Sequence, residues 1–250
     1  MDVRLLQAAE LIQKSSCVYA LTGAGASVES GIPDFRSASG LWARFDPMEY
    51  GSIGAFRQDP LKVWEMLREL VAIIDAVPNA GHRAMAVMEE RGWLQGIVTQ
   101  NIDGLHQRAG SRNVVEFHGT VHRLVCLSCG KQYDIGEFRQ DLPPSCPMCE
   151  AIMKPDVVFF DEPIPAEALQ AASQVTKTAH VLIVAGTSCN VMPAAMIPVD
   201  VHRRGGRIIE VNPEPVLSGM ADIVVDMPFA AAMQGMLAAL EQLNGNRADD

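Results

Sequence analysis

In Val3–Lys14 the apolar residues Leu5, Leu6, Ala9 and Ile12 share one face, which predicts an opening helix. Cys17–Leu21 then reads as a short apolar strand, followed by a glycine-rich loop from Thr22. Val63, Leu67, Leu70, Val71 and Ile74 return at helical spacing, and Ala80–Arg91 predicts another helix. Short β-branched runs at Gly96–Thr99, Val114–Glu116, Val181–Ala185, Arg207–Val211 and Ile223–Val225 read as strands. A closing helix is expected over Phe229–Leu243, with polar, frayed residues from Gly245 to Asp250. Strands that alternate with helices in this way predict an α/β fold built on a doubly wound, mainly parallel sheet of Rossmann-like type.

The pattern changes between Thr120 and Lys154, where segments are short, four cysteines recur and Pro143–Pro144 interrupts the chain. So small a stretch buries too little apolar surface to hold itself together and needs a staple. The expected organisation is therefore a dinucleotide-type domain of residues 1–119 and 155–250 with a small module, 120–154, inserted into it.

Composition narrows the class. The 250 residues are 48% hydrophobic and 20% charged, as in ordinary folded domains, and the formal net charge is −10. An acidic surface repels phosphate backbones, so direct nucleic-acid binding is not expected. No apolar run reaches the roughly 18 residues of a membrane span, and Met1–Asp2–Val3–Arg4 does not read as the start of a secretion signal. A cytoplasmic protein with no membrane partner is the expectation.

In that setting the six cysteines point to metal or plain thiols before disulfides. Cys126-Leu-Ser-Cys129 and Cys146-Pro-Met-Cys149 are two Cys-x-x-Cys pairs at the spacing of a four-thiolate zinc site, closed and structural because all four ligands come from protein. Gly130 supplies a flexible turn after the first pair.

Three loops and a histidine carry candidate chemistry. Thr22-Gly23-Ala24-Gly25-Ala26-Ser27 follows a strand, and its glycines let backbone approach a pyrophosphate. Val28 stands where a third fingerprint glycine would fall, so a ligand-free tight turn is an equal reading. Asp34-Phe35-Arg36 sets an acid, a ring and a guanidinium on one loop, suited to a lid or to a simple Asp34–Arg36 pair. Thr99-Gln100-Asn101-Ile102-Asp103 sits beyond a strand's carboxyl end, where ligands bind in open α/β sheets, or serves only to cap the next helix. His118, after a strand and before the cysteine module, has the side chain best suited to act as a base near neutral pH. His82, His106, His122, His180 and His202 read as structural.

Taken in order, these segments resemble the sirtuin family of NAD-dependent protein deacylases. The likeness runs from Val18 to about Leu240 and adds Lys154-Pro155-Asp156-Val157-Val158-Phe159-Phe160, Gly186-Thr187-Ser188 and Val211-Asn212 to the motifs above. It implies an NAD domain and a zinc domain with substrate between them, and it assigns NAD and Zn²⁺ as cofactors and acylated-lysine proteins or peptides as partners. By resemblance, Gly23, Ala24, Gly25, Ser27, Gly186, Thr187 and Ser188 contact phosphates and ribose, with Asn212, Pro213 and Glu214 near the adenosine end. Asp34, Phe35, Arg36, Gln100, Asn101, Ile102 and Asp103 line the nicotinamide side, and His118 is the general base, with Asn101 and Asp103 in the catalytic group. Val157, Phe159, Phe160, Asn190 and Val191 hold the peptide as an added strand. The implied reaction releases nicotinamide, free lysine and an O-acyl-ADP-ribose; the alternative is mono-ADP-ribosyl transfer to protein. Asp161 and Ser37 stand where the family usually has glycine. Leu67 and Leu70 align with the Tyr-x-x-Arg pair of succinyl-removing sirtuins, so neutral acyl groups are the expected substrates.

Overall fold

The computed structural model describes residues 2–34 and 40–248. Its large sheet contains β1 (Val18–Thr22), β2 (Gly96–Thr99), β3 (Val114–Glu116), β7 (Val181–Ala185), β8 (Arg207–Val211) and β9 (Ile223–Val225). They lie in the order β3-β2-β1-β7-β8-β9, with every neighbouring pair parallel. The chain winds outward from β1 to β3 on one side and from β7 to β9 on the other. The doubly wound, Rossmann-like expectation therefore holds, and the reversal falls between the adjacent strands β1 and β7.

Side chains alternate across this sheet. Val18, Ala20, Ile97, Val181, Ile183 and Ile209 pack toward α1 (Val3–Gln13), α5 (Ala80–Glu90) and α9 (Phe229–Ala248). Leu21, Val98, Leu182, Val184 and Ile208 face α7 (Ala166–Thr178) and α8 (Met196–Arg203). Burial on both faces explains why these strands read as unbroken apolar runs. The last helix continues to Ala248, past the expected end at Leu243. A glycine costs a helix only about 1 kcal/mol, so Gly245 does not end one already anchored by packing upstream.

The smaller lobe is an antiparallel sheet in the order β5-β4-β6, formed by β4 (Gly119–Val125), β5 (Gln132–Asp134) and β6 (Lys154–Val157). Its core is not confined to the cysteine stretch. Ile53, Phe56, Val63, Trp64, Leu67 and Val71 pack with Val121, Leu124, Ile135 and Met153, bringing in α3 (Ile53–Gln58) and α4 (Pro60–Ala72). Trp64 lies 1% exposed and donates its indole N–H to the Met153 carbonyl at 2.8 Å. Two short helices, α2 (Pro47–Tyr50) and α6 (Leu105–Arg108), complete the set. No helix among the described residues is long and apolar enough to cross a membrane.

Candidate active site and metal centre

The reversal between β1 and β7 is where an open α/β sheet leaves a crevice at its strand ends. A cavity of about 1010 Å³ lies there, walled on one side by Gly23, Ala24, Gly25, Gly186, Thr187, Ser188, Asn212, Pro213 and Glu214. Its other wall brings Val157, Phe159 and Phe160 against Val191, with Asp34, Gln100, Asn101, Ile102 and His118 between. That volume is at the top of the range for small-molecule sites, enough for a dinucleotide with a substrate side chain.

The glycines are required by close approach. A Cβ on Gly23 would sit 2.7 Å from the Thr187 Cβ, and one on Gly25 would sit 2.8 Å from the Gly186 Cα. Gly186 itself has φ +60° and faces the Ala26 nitrogen at 2.4 Å from an added Cβ. The Gly25 N–H donates to the Gly186 carbonyl at 2.8 Å, which locks the two loops together. The loop after β1 turns through Ala24–Ala26 and Val28–Ser30 in two short 3₁₀ segments, ended by Gly31 at φ +83°.

A chain of buried polar groups lies under that loop. Asn101, 6% exposed, donates its amide to the Gly23 carbonyl and the Ser27 hydroxyl, each at 3.0 Å. Ser27 in turn donates to the Asp103 carboxylate at 2.7 Å, and the Leu105 N–H meets the other carboxylate oxygen at 2.9 Å. Burial raises the Asp103 pKa above its ordinary 3.8 against these hydrogen bonds. Below them, Thr22 joins the Thr99 hydroxyl and His106 Nε2, both at 2.9 Å, and His106 packs edge-on against His82. Burial holds both imidazoles neutral, lowering His82 to about 4 and His106 well below 6.5. Ser27 and Asp103 do not reach the main cleft. They line an adjoining cavity of about 460 Å³ that shares Ala24, Leu70, Asn101 and Ile102 with it. Asn190 borders neither cavity. Phe35 and Arg36 lie outside the described residues.

His118 stands where the chain passes from β3 of the large sheet to β4 of the small one. Its Nδ1 lies 3.2 Å from the Gln100 carbonyl, which can only accept, so Nδ1 carries the proton and Nε2 keeps the lone pair. Burial lowers its pKa from 6.5, partly offset by that carbonyl, which favours the neutral base at neutral pH. The crossing is narrow. Gly119 has φ +76°, and a Cβ there would come within 2.0 Å of the Asp156 carbonyl. Gly119 pairs with Val157, and the Val158 N–H donates to the His118 carbonyl at 2.9 Å.

Several lining residues carried no role in the sequence reading. Trp42 faces Phe160 with ring centroids 5.9 Å apart, and Met66 looks in from α4; Leu70, read from the alignment as a pocket residue, does line the cleft. Leu67, taken from alignment as a pocket residue, is wholly buried in the small-lobe core and does not line the cleft. Arg68 turns away, donating to the Leu142 carbonyl. Lys154 was quoted only as part of a motif. It is 1% exposed, with Nζ at 2.7 Å from the Val157 carbonyl, 3.1 Å from the Glu162 carboxylate and 4.5 Å from the Phe159 ring centre. Lysine is buried only when paired, so a buried Lys in a sequence signals a fixed partner that spacing does not reveal.

The four sulfurs of Cys126, Cys129, Cys146 and Cys149 all lie within 4.8 Å of one another. Pairs at 3.5 and 3.6 Å are too long for a disulfide and close to the roughly 3.8 Å edge of a tetrahedron with Zn–S near 2.3 Å. Each knuckle repeats the same backbone bonds. The Gly130 N–H donates to Cys126 and the Glu150 N–H to Cys146, each at 2.8 Å, and each cysteine N–H donates to the carbonyl five residues on, at Lys131 or Ala151. The donor set and its geometry fit Zn²⁺. Gly130 takes φ +73° in the first knuckle, but Glu150 takes φ +62° in the second.

The comparisons with known proteins agree with this geometry. The family model described as the Sir2 family matches residues 23–193. A protein named NAD-dependent protein deacylase from Aeropyrum pernix is 44% identical over 223 residues, spanning 88% of this chain and 91% of its own. A solved structure of a Sir2 homolog–NAD complex is 39% identical, with TM-score 0.88, covering 97% of this chain and 95% of that one. A Sir2 structure described with deacetylated p53 peptide and 3′-O-acetyl-ADP-ribose is 33% identical, with TM-score 0.87, and covers 93% of this chain and 96% of that one. With the paired glycine loops, the histidine at the crossing and the four-thiol cluster all lying within the aligned length, the chain belongs to the Sir2 family.

Proposed function

We infer that this chain is an NAD-dependent protein lysine deacylase, and that acylated-lysine proteins or peptides are its substrates. The observation that carries the reading is His118, whose unprotonated Nε2 belongs to a cleft walled by a dinucleotide-sized glycine cradle and by the apolar 157–160 segment. Gly23, Ala24, Gly25, Gly186, Thr187 and Ser188 hold the phosphates and ribose, and Asn212, Pro213 and Glu214 the adenosine end. The closeness of the two glycine loops supports this, since only backbone intervenes where the phosphates approach.

NAD, when bound, supplies an activated ribose carbon with nicotinamide as its leaving group. Gln100, Asn101 and Ile102 line that side with Asp34, and Phe35 and Arg36 share the assignment. Ser27 and Asp103 act from beneath, fixing the Asn101 amide. His118 accepts the proton of a ribose hydroxyl at Nε2 while Nδ1 stays bonded to Gln100. Val157, Phe159, Phe160 and Val191 enclose the acyl-lysine, with Asn190 next to Val191 along the peptide's path. Cys126, Cys129, Cys146 and Cys149 hold Zn²⁺ as a structural ion without open positions. We assign 120–154 to the metal-held module and 1–119 with 155–250 to the NAD-binding domain; α3 and α4 then pack across that boundary. Free thiols arranged for a metal support a cytoplasmic setting.

An acetyl-lysine peptide incubated with and without NAD tests the reading by mass spectrometry. Nicotinamide and O-acetyl-ADP-ribose should form together, in step with loss of the acetyl group and only with NAD. ADP-ribose found on the peptide, with acetyl retained, would overturn it.

A further inference from the structure

Asp161 holds φ +63°, a left-handed conformation that glycine adopts freely and that Asp and Asn tolerate better than most side chains. The residue sits in a fixed frame. Just before it, the Phe160 N–H donates to the Gly51 carbonyl at 2.8 Å and the Phe160 carbonyl accepts from Ile53 at 3.0 Å. Just after it, Glu162 is drawn toward buried Lys154 at 3.1 Å and caps the Phe159 N–H at 3.0 Å. Asp161 lies exposed on the cleft wall, and its carboxylate has no cationic partner among the described residues. No Lys or Arg lines the cleft among those residues, whereas Glu29, Asp34, Glu162 and Glu214 do. Glu29 is engaged by the Ala230 N–H at 2.7 Å and Glu162 by Lys154, so neither offers what Asp161 offers: a charge left for an incoming group.

Resting on the reading of this cleft as the acyl-lysine site, we propose that Asp161 makes the enzyme favour acyl-lysines flanked by Lys or Arg. With the acyl-lysine in the cleft lined by Phe159 and Phe160, the adjoining wall presents the Asp161 carboxylate to the neighbouring peptide side chains. Attraction between exposed opposite charges is modest and screened by salt, so the selectivity is a bias and not a gate.

The test is kcat/KM, read as nicotinamide release, on acetyl-lysine peptides that differ only in carrying Lys, Gln or Glu on either side of the acetyl-lysine. Lys should exceed Gln by about two- to fivefold at low ionic strength, with Glu below Gln, and the spread should collapse near 1 M salt. Asp161→Asn keeps a residue tolerant of positive φ and removes the charge, so the Lys-to-Glu ratio should shrink toward one. Asp161→Gly provides a second, unstrained variant. The ratio within each enzyme is the readout, so a general change in activity does not imitate the effect, and the overall charge of −10 is common to both proteins apart from this one group. Equal ratios in wild type and in both variants, or no charge preference in wild type, would overturn the proposal. Failure of wild type to act on any of the peptides would instead overturn the functional reading beneath it.

Discussion

Every residue of β7 is buried, whereas β5 exposes Gln132 and Asp134 to water on either side of half-buried Tyr133. The large lobe is covered by helices on both faces of its sheet, and apolar burial supplies its cohesion without a metal-ligand cluster among the described residues. The small lobe leans on α3 and α4 for part of its core and closes its far end with four thiols. Two sheets in one chain thus depend on different chemistry, and a perturbation aimed at one should spare the other.

Metal removal is the strongest such perturbation, because structural zinc contributes on the order of 10 kcal/mol or more to a small module. Chelation, or Cys146→Ser, should release zinc and strip amide protection from β4 and β5 while β1, β2, β7 and β8 keep theirs. Hydrogen exchange with metal analysis reads this directly; equal loss of protection in both sheets would break the comparison.

At the border between the lobes, His118→Ala should lower kcat/KM by about 10²–10⁴-fold with zinc content and folding intact. Because burial lowers the His118 pKa, the acid limb of wild-type kcat/KM should have its midpoint below pH 6.5. A midpoint above that value would mean another group is titrating.

The large lobe has its own weakness, in acid. His82 is neutral in the fold down to about pH 4 but near 6.5 when unfolded. Between those values the unfolded chain binds more protons, so stability is full above 6.5 and is lost as pH falls toward 4, by on the order of 3 kcal/mol. His106 acts in the same direction, while Asp103 and Glu116, with raised pKa values, oppose it. Urea unfolding at pH 7 and pH 5 should show the loss, and His82→Gln should flatten it.

The smallest effect is expected at the second zinc knuckle. Glu150→Gly relieves a positive φ that Gly130 already accommodates in the first, and should stabilise the metal-bound small lobe by about 0.5–1 kcal/mol, net of the freer unfolded chain. Thermal unfolding of the holo protein checks it; destabilisation would mean that the Glu150 side chain contributes more than its conformation costs.

Five strands of the large sheet have the ends that their apolar runs predict; central β2 and β7 are buried along their whole length and stop where polarity returns, and the edge strands β3 and β9 are mostly half-buried runs of three. The fifth position of the second knuckle was not readable, since Glu150 gives no sign of a left-handed turn. Helices α7 and α8 gave little apolar signal: α7 buries only Ala168, Ala172 and Val175, and α8 is only 8 residues long with Pro198 inside it. Of the site, the glycine loops and thiol pairs were legible because steric room and metal geometry dictate residue type. On α4 the alignment found Leu70 but named Leu67 where Met66 lines the cleft, because helical phase relative to a distant wall is set by packing.

The Gly119–Val157 crossing has a mechanical consequence. For any change in the angle between the two sheets, displacement grows with distance from the axis, so groups beside the Gly119–Val157 pairing would move less than those at the far sheet edges. His118 is tied to that axis twice, through its own carbonyl to Val158 and through its ring to Gln100. Held at both its carbonyl and its ring, the His118 imidazole is aimed into the cleft by backbone groups and not by a neighbouring side chain.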